Sequence, residues 1–361
     1  MPERVFNFSA GPAVMPLPVL EEAQRDLVAL PGVGSSVMEL SHRGKTYMDI
    51  HADAKARLVS LLNIPDTHEV LLLQGGSRLQ FSMIPLNLLK GTDKTADYVL
   101  TGSWGKKALE EAVKEGKTNV AWDGKSINFN NLPSQSDLKL TSDAAYVHIT
   151  SNETIQGVQF QSIPEVGNVP LVADLSSDFL SRPVDVSKYG IIYACAQKNA
   201  GPAGVTVVII RKDLMEHASG DLPGYMVYRN HAENDSMWNT PPTFGIYLLG
   251  LVCKWLQEEF GSLEKLQAHN QAKAQLLYDA IDQSGGFYLG HAVPEVRSKM
   301  NVTFKLGDDD SDKKFLAAAN ELGLTQLGGH RSVGGVRASI YNAMPVEGVE
   351  KLRDFMLDFK K

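Results

Sequence analysis

Between residues 68 and 212 the chain repeats one pattern: a short, β-branched, near-continuous apolar run followed by a helical stretch. Residues 69–73, 95–100, 144–149, 170–173, 191–196 and 205–210 all have strand length and little polar alternation. Such runs suit strands buried on both faces, the environment of a mainly parallel sheet covered by helices. Residues 79–89 and 104–115 supply helical periodicity between them. The pattern predicts a large α/β domain.

From Pro241 the period lengthens. Residues 244–260 and 262–284 read as helices broken at Gly261. After Gly285-Gly286 the order is strand 300–306, helix 312–322, strand 336–341 and helix 346–359. A second, smaller C-terminal α/β domain is expected, dividing the chain into 16–264 and 265–361, with residues 1–15 packing on the smaller part. The length of 361 residues accommodates two domains. Asp308-Asp309-Asp310-Ser311-Asp312 lacks the glycine and distal carboxylate of a calcium loop, so it reads as a solvated loop and no metal is expected.

Charge narrows the function. Against 35 Lys plus Arg stand 42 Asp plus Glu, a net charge of −7. This disfavours broad nucleic-acid binding, which rests on basic surfaces. No apolar run is long enough to span a membrane. Residues 1–5 lack the charged and apolar regions of a signal peptide, and two cysteines cannot build a disulfide framework. A cytoplasmic protein without membrane or nucleic-acid partners is expected.

Chemistry gathers at strand ends. Ala196-Gln197-Lys198-Asn199 joins two very apolar strands, so Lys198 stands beside buried backbone. Lysines are rarely placed there without a use, although a snorkelling lysine in a glycine-rich turn is the plain alternative. Asp174 ends another apolar run, either as a helix N-cap or as a second functional group. A ligand that wants both an amine and a carboxylate is pyridoxal phosphate: its aldehyde joins a lysine and its ring nitrogen pairs with an acid. A lysine in that role needs a lowered pKa, so burial and cationic neighbours are expected around Lys198. Gln74-Gly75-Gly76-Ser77-Arg78 follows a strand and opens a helix, which makes a phosphate cradle. The dinucleotide alternative at Gly32-Val33-Gly34 has no preceding strand and no third glycine. Trp104 follows the strand 95–100 and is either a core residue or a stacking partner for an aromatic ring.

Six motifs in order resemble the phosphoserine aminotransferase family of fold-type I, class V enzymes. They are Asn7-Phe8-Ser9-Ala10-Gly11-Pro12, Met38-Glu39-Leu40-Ser41-His42-Arg43-Gly44, Ser151-Asn152-Glu153-Thr154, Ala196-Gln197-Lys198-Asn199, Trp238-Asn239-Thr240-Pro241-Pro242 and the stretch from Gly329 to Ser339. The resemblance implies a homodimer with pyridoxal 5'-phosphate bound at sites on the subunit interface. It implies Lys198 as the Schiff-base lysine, Asp174 at the pyridine nitrogen, Trp104 on the ring and Thr154 at its 3′-oxygen. Ser77, Arg78 and Gln197 match cofactor contacts from one subunit, and Asn239 and Thr240 match phosphate contacts from the other. Arg337 matches the α-carboxylate arginine. His42 and Arg43 from one chain, with His330 and Arg331 across the interface, match the site of the distal anion. Ala10 stands where some relatives carry Ser, so no side-chain contact is expected there.

The implied reaction moves an amino group between L-glutamate and 3-phosphohydroxypyruvate in serine biosynthesis. A second implied substrate is 3-hydroxy-2-oxo-4-phosphonooxybutanoate, of pyridoxine (vitamin B6) biosynthesis. Rival readings on one fold are a cysteine desulfurase, a lyase and an alanine–glyoxylate transaminase. A catalytically silent homologue is a rival of a different class. Cys195 and Cys253 both read as packing residues, which disfavours the desulfurase.

Overall fold

The computed structural model describes residues 4–361. Strand β1 (Phe6–Asn7) leads into helices α1 (Leu17–Val28) and α2 (Lys45–Leu62). The α/β alternation then runs through β2 (His68–Leu73), α3 (Gly76–Leu88), β3 (Thr95–Leu100), α4 (Ser103–Ala112) and β4 (Lys117–Asp123). Next come β5 (Tyr146–Thr150), the short hairpin β6 (Asn152–Glu153) and β7 (Val158–Gln159), then β8 (Leu171–Asp174), β9 (Ile191–Cys195) and β10 (Thr206–Arg211). Helices α5 (Tyr228–Glu233), α6 (Thr243–Phe260) and α7 (Leu263–Asp282) follow. The chain ends with β11 (Leu289–Gly290), β12 (Asn301–Lys305), α8 (Asp309–Glu321), β13 (Leu324–Thr325), β14 (Val336–Ser339) and α9 (Val346–Phe359).

Seven strands form the central sheet in the order β2-β10-β9-β8-β5-β3-β4. Only β10 runs against its neighbours. Its reversal leaves β2 pointing the same way as β9, so β2, β3, β5, β8 and β9 all end on one edge. Ligands of open α/β sheets bind at such an edge. The strands are buried from end to end in β5, β8 and β9, which explains their uninterrupted apolar sequence. One core lies on the α1, α2 and α6 side, where the Tyr247 hydroxyl also donates to Asp26 Oδ2 at 2.6 Å. A second lies on the α3 and α4 side.

A third core holds Phe8, Ala274, Leu277, Phe304, Phe315 and Leu352, among others. Phe8 belongs to it because β1 pairs with β13, Phe6 opposite Leu324. Helix α7 crosses between cores, with Leu263 and Leu266 in the first and residues from Ala274 onward in the third. Buried Lys273 lies on this helix, and its ammonium group donates to the carbonyls of Ile340, Tyr341 and Met344 at 2.9–3.2 Å.

Two expectations need correction. The acidic stretch at 308–312 is not a solvated loop but the start of α8. Asp308 caps the helix by accepting from Ser311 N–H at 2.7 Å, and buried Asp312 accepts from Leu306 N–H at 2.9 Å. Carboxylates at a helix N-terminus satisfy its free N–H groups and complement its dipole. Asp174 is also no helix N-cap. It accepts from Ser176 N–H at 2.8 Å in an Asx turn, and residues 175–180 continue as turns.

Candidate active site

Five loops leave the shared sheet edge, and each delivers one part of a pocket. The loop after β9 carries Lys198, whose Nζ donates to Thr154 Oγ1 at 2.7 Å. Thr154 follows β6, immediately beyond the end of β5. The adjacent strand β8 ends in Asp174, only 5% exposed. After β3 comes Trp104, whose ring centroid lies 5.3 Å from Lys198 Nζ. After β2, Gly75 turns the chain into α3.

Gly75 has φ +87°, and a Cβ there would lie 2.5 Å from the Leu79 side chain. Only glycine fits this turn. No side chain caps the α3 N-terminus, so its amide groups face outward as an anion cradle. Ser77 and the exposed Arg78 stand in its first turn. Ser77 Oγ lies 2.7 Å from Ser176 Oγ, which in turn donates to Asp174 Oδ1 at 2.5 Å. A hydroxyl relay therefore links the cradle to the buried carboxylate.

The electrostatics differ from expectation at one point. Burial pushes the Lys198 amine down, but Tyr341, Cys195, Asp174 and Glu153 outweigh it, and the net shift is upward. The sequence reading expected a lowered value from burial and cationic neighbours. The strand ends instead surround the amine with acidic groups, which favour its charged form. Asp174 is raised by burial, with Lys198 and the Ser176 hydrogen bonds opposing. Glu153 is pushed up to about 7, again chiefly by burial, although the N–H groups of Gly105 and Trp104 hold it down.

A cationic group stands beside this pocket. Burial and the neighbouring Arg337, Arg331 and Lys107 all lower the His330 imidazole. Lys107 Nζ also lies 5.9 Å from the Trp104 ring, which ties the group to the pocket wall. Among the described residues, Arg43, Arg331 and Arg337 form no ion pair, and the buried Nε of Arg337 has no acceptor.

The chain thus brings together Lys198, Asp174, Trp104, Thr154 and Ser77, and separately His330, Arg331 and Arg337. No hydrogen bond or ion pair joins His42 or Arg43 to the His330 group among the described residues. Asn239 and Thr240 are exposed beside the cradle, 3.3 and 3.5 Å from Gln74 Nε2 through Asn239 Oδ1 and the Thr240 carbonyl. Gln197 offers its carbonyl to Ala13 N–H at 2.9 Å. Ala10 contributes through its carbonyl, which accepts from the Tyr341 hydroxyl at 2.8 Å.

Residues 5–352 match the class-V aminotransferase family. The chain belongs to this family. It is 57% identical over 359 residues to a phosphoserine aminotransferase of Rhodopirellula baltica, covering 99% of this chain and 96% of that protein. A solved phosphoserine aminotransferase from Bacillus circulans subsp. alkalophilus superposes with a TM-score of 0.97 at 51% identity, covering 99% and 98% of the two chains. The pyridoxal-phosphate-bound phosphoserine aminotransferase of Trichomonas vaginalis gives 0.93 at 43% identity, covering 98% and 100%. The architecture is that of a fold-type I aminotransferase.

For a class-V aminotransferase the pocket is tested by whether its donors fit pyridoxal phosphate, and they do. The uncapped α3 N-terminus suits a phosphate, and the buried Asp174 with Oδ1 taken by Ser176 leaves Oδ2 for a ring N–H. Four contributors escaped the sequence reading: Glu153, Ser176, Tyr341 and Lys107. Glu153 alone lies within one of the family-like motifs, Ser151-Asn152-Glu153-Thr154. The others are brought in by strand order and by the packing of the third core.

Proposed function

We propose that this chain transfers an amino group between L-glutamate and 3-phosphohydroxypyruvate, giving 2-oxoglutarate and O-phospho-L-serine, with pyridoxal 5'-phosphate at Lys198. The observation that carries this reading is the unpaired cationic group His330, Arg331, Arg337 and Lys107 beside the lysine pocket of a net-acidic chain. Identities of 49–57% to proteins named phosphoserine aminotransferase support it.

When bound, pyridoxal phosphate supplies an aldehyde that takes up the substrate's amine and a ring that withdraws electrons from the substrate Cα. Lys198 Nζ, freed by the substrate's amine, is the base that removes the Cα proton, a role for which its contact with Thr154 positions it. Asp174 keeps the ring nitrogen protonated through Oδ2. Trp104 would cover one face of the ring, Ser77, Arg78 and the α3 amides would hold the phosphate, and Gln197 would add a further cofactor contact. Arg337 receives the α-carboxylate, and planar bidentate pairing suits that role. His330 and Arg331 receive the phosphate or γ-carboxylate.

The working unit in this reading is a homodimer. His42, Arg43, Asn239 and Thr240 then complete the partner subunit's site. Trp238 and Met38 are 46% and 59% exposed beside those motifs, as large apolar side chains at an interface are. The lobes 16–264 and 265–361 meet along α7. A cytoplasmic setting suits the two buried free thiols.

Coupled transamination with phosphoserine, serine and alanine in parallel tests the proposal. Phosphoserine should exceed the other two by about 100-fold or more in kcat/KM, the worth of two charge-assisted contacts. Comparable rates with alanine would overturn it. 4-Phosphohydroxythreonine, the amino product of the longer phosphorylated acid, belongs in the same assay because it carries the same two anionic ends.

A further inference from the structure

Glu153 is fully buried, and among the described residues no cation is ion-paired to it. Its carboxylate instead accepts from the backbone N–H of Trp104, 3.1 Å from each oxygen, and from Gly105 at 2.9 Å. These are the amides of the second and third residues of α4, a helix of 10 residues that has no side-chain cap of its own because Gly102 occupies the N-cap. A Cβ on Gly102 would lie 2.5 Å from the Glu153 carboxylate carbon, so the glycine is the opening through which the acid reaches the helix. Gln156, from the same hairpin, grips Ser103 through its amide at 3.0 Å. The next residue after Glu153 is Thr154, which holds Lys198. One dipeptide therefore grips both the wall and the base of the pocket.

We propose that Glu153 is a positioning residue of the transamination site, clamping the N-terminus of α4 so that the Trp104 indole is held at fixed height opposite Lys198. The proposal rests on the reading that Trp104 and Lys198 flank the cofactor ring. Helix ends fray unless their free amides are capped. Here the cap comes from a neighbouring loop that also carries a ligand group, so movement of the wall and of the lysine are coupled. The carboxylate charge has a second consequence. The groups facing Lys198 are Tyr341, Cys195, Asp174 and Glu153, and those facing Glu153 are Asp174 and Lys198, besides the two amides. Removing one negative charge from this set destabilises any cationic form of the lysine nitrogen.

The test uses the holoenzyme as wild type, Glu153→Ala, Glu153→Gln, Trp104→Phe and Lys198→Ala. Trp104 fluorescence, isolated by difference against Trp104→Phe, reports the height of the indole above the chromophore. Glu153→Ala should relieve much of that quenching and release cofactor about 10-fold faster. Glu153→Gln keeps an acceptor oxygen for both amides, so quenching and release should stay within about threefold of wild type. Above about pH 7, where Glu153 is ionised, its lost charge should lower the titration midpoint of the visible band by about half a pH unit, roughly threefold in proton affinity. Wild-type quenching and release in Glu153→Ala would overturn the proposal. If that variant does not fold, Glu153→Asp, one methylene too short to reach both amides, takes its place, and wild-type quenching and release there overturn the proposal. Failure of the underlying reading looks different: Lys198→Ala would keep the visible band, or Trp104→Phe would leave the quenching unchanged.

Discussion

The strand-edge pocket and the arginine-bearing loops are built by opposite rules. In the pocket, Lys198 is held by Thr154, Asp174 by Ser176, and Glu153 by the amides of α4. In the loops, Arg43 and Arg331, and beside them Arg337 on β14, have no carboxylate partner among the described residues, although the chain carries 42 acidic residues. Groups that meet the same cofactor at every turnover gain from being fixed in advance. Groups that must accept first a γ-carboxylate and then a phosphate gain from staying free, because an internal carboxylate would compete with either anion.

Substitutions in the two regions should therefore differ in kind. Lys198→Ala has the largest expected effect: the visible band of the bound lysine disappears and turnover falls by at least about 10³-fold, the range of positioned proton transfer. Persistence of the band would place the cofactor elsewhere. Arg337→Ala comes next, with both half-reactions losing about 100-fold in kcat/KM, because every substrate carries an α-carboxylate. Arg331→Ala should cost about 10-fold with phosphoserine and less than about threefold with glutamate, since a phosphate carries more charge than a carboxylate. Stopped-flow half-reactions separate these cases. Equal losses for both substrates with Arg331→Ala would erase the proposed division of labour.

The same contrast explains what could be read from the sequence. The strands β3, β5, β8, β9 and β10 stand within two residues of their apolar runs because burial on both faces writes itself into composition. Strand β4 was not foreseen. It lies at the sheet edge, its residues are mostly half-buried or exposed, and only Val120-Ala121-Trp122 among its seven residues is apolar. Helices α1 and α2 precede the α/β alternation, and no repeating pattern in the sequence marks them. At the site, glycine turns and strand-terminal charges mark Lys198, Asp174 and Ser77 locally. Ser176 and Tyr341 act through folded neighbours far along the chain, the Tyr341 hydroxyl reaching Ala10 across 331 residues. No local pattern encodes such a meeting. The raised Lys198 amine has largely the same origin: Cys195 is three residues away in the chain, but Tyr341, Asp174 and Glu153 come from other segments.

Acid sensitivity offers the smallest but cleanest way to separate the two regions. His148 lies in β5 under the pocket, 1% exposed, with Nε2 2.8 Å from the Tyr193 hydroxyl and its ring stacked on Tyr98. Burial lowers its pKa to about 3. An unfolded chain binds a proton at this histidine below about 6.5. Between those values the unfolded state holds more protons, so stability is complete above pH 6.5 and declines as the pH falls toward 3. The decline amounts to a few kcal/mol over the window. The raised Glu153 carboxyl contributes with the opposite sign over part of this window, so the His148 part is read as the difference between wild type and His148→Asn in denaturant unfolding from pH 7 to 4, which should amount to one proton in the slope. Arg331→Ala should leave the slope unchanged, because burial alone lowers the His148 imidazole and no arginine contributes. A His148→Asn variant with the wild-type slope would move the acid-sensitive group out of the pocket floor and weaken the contrast between a region fixed by burial and one left open to solvent.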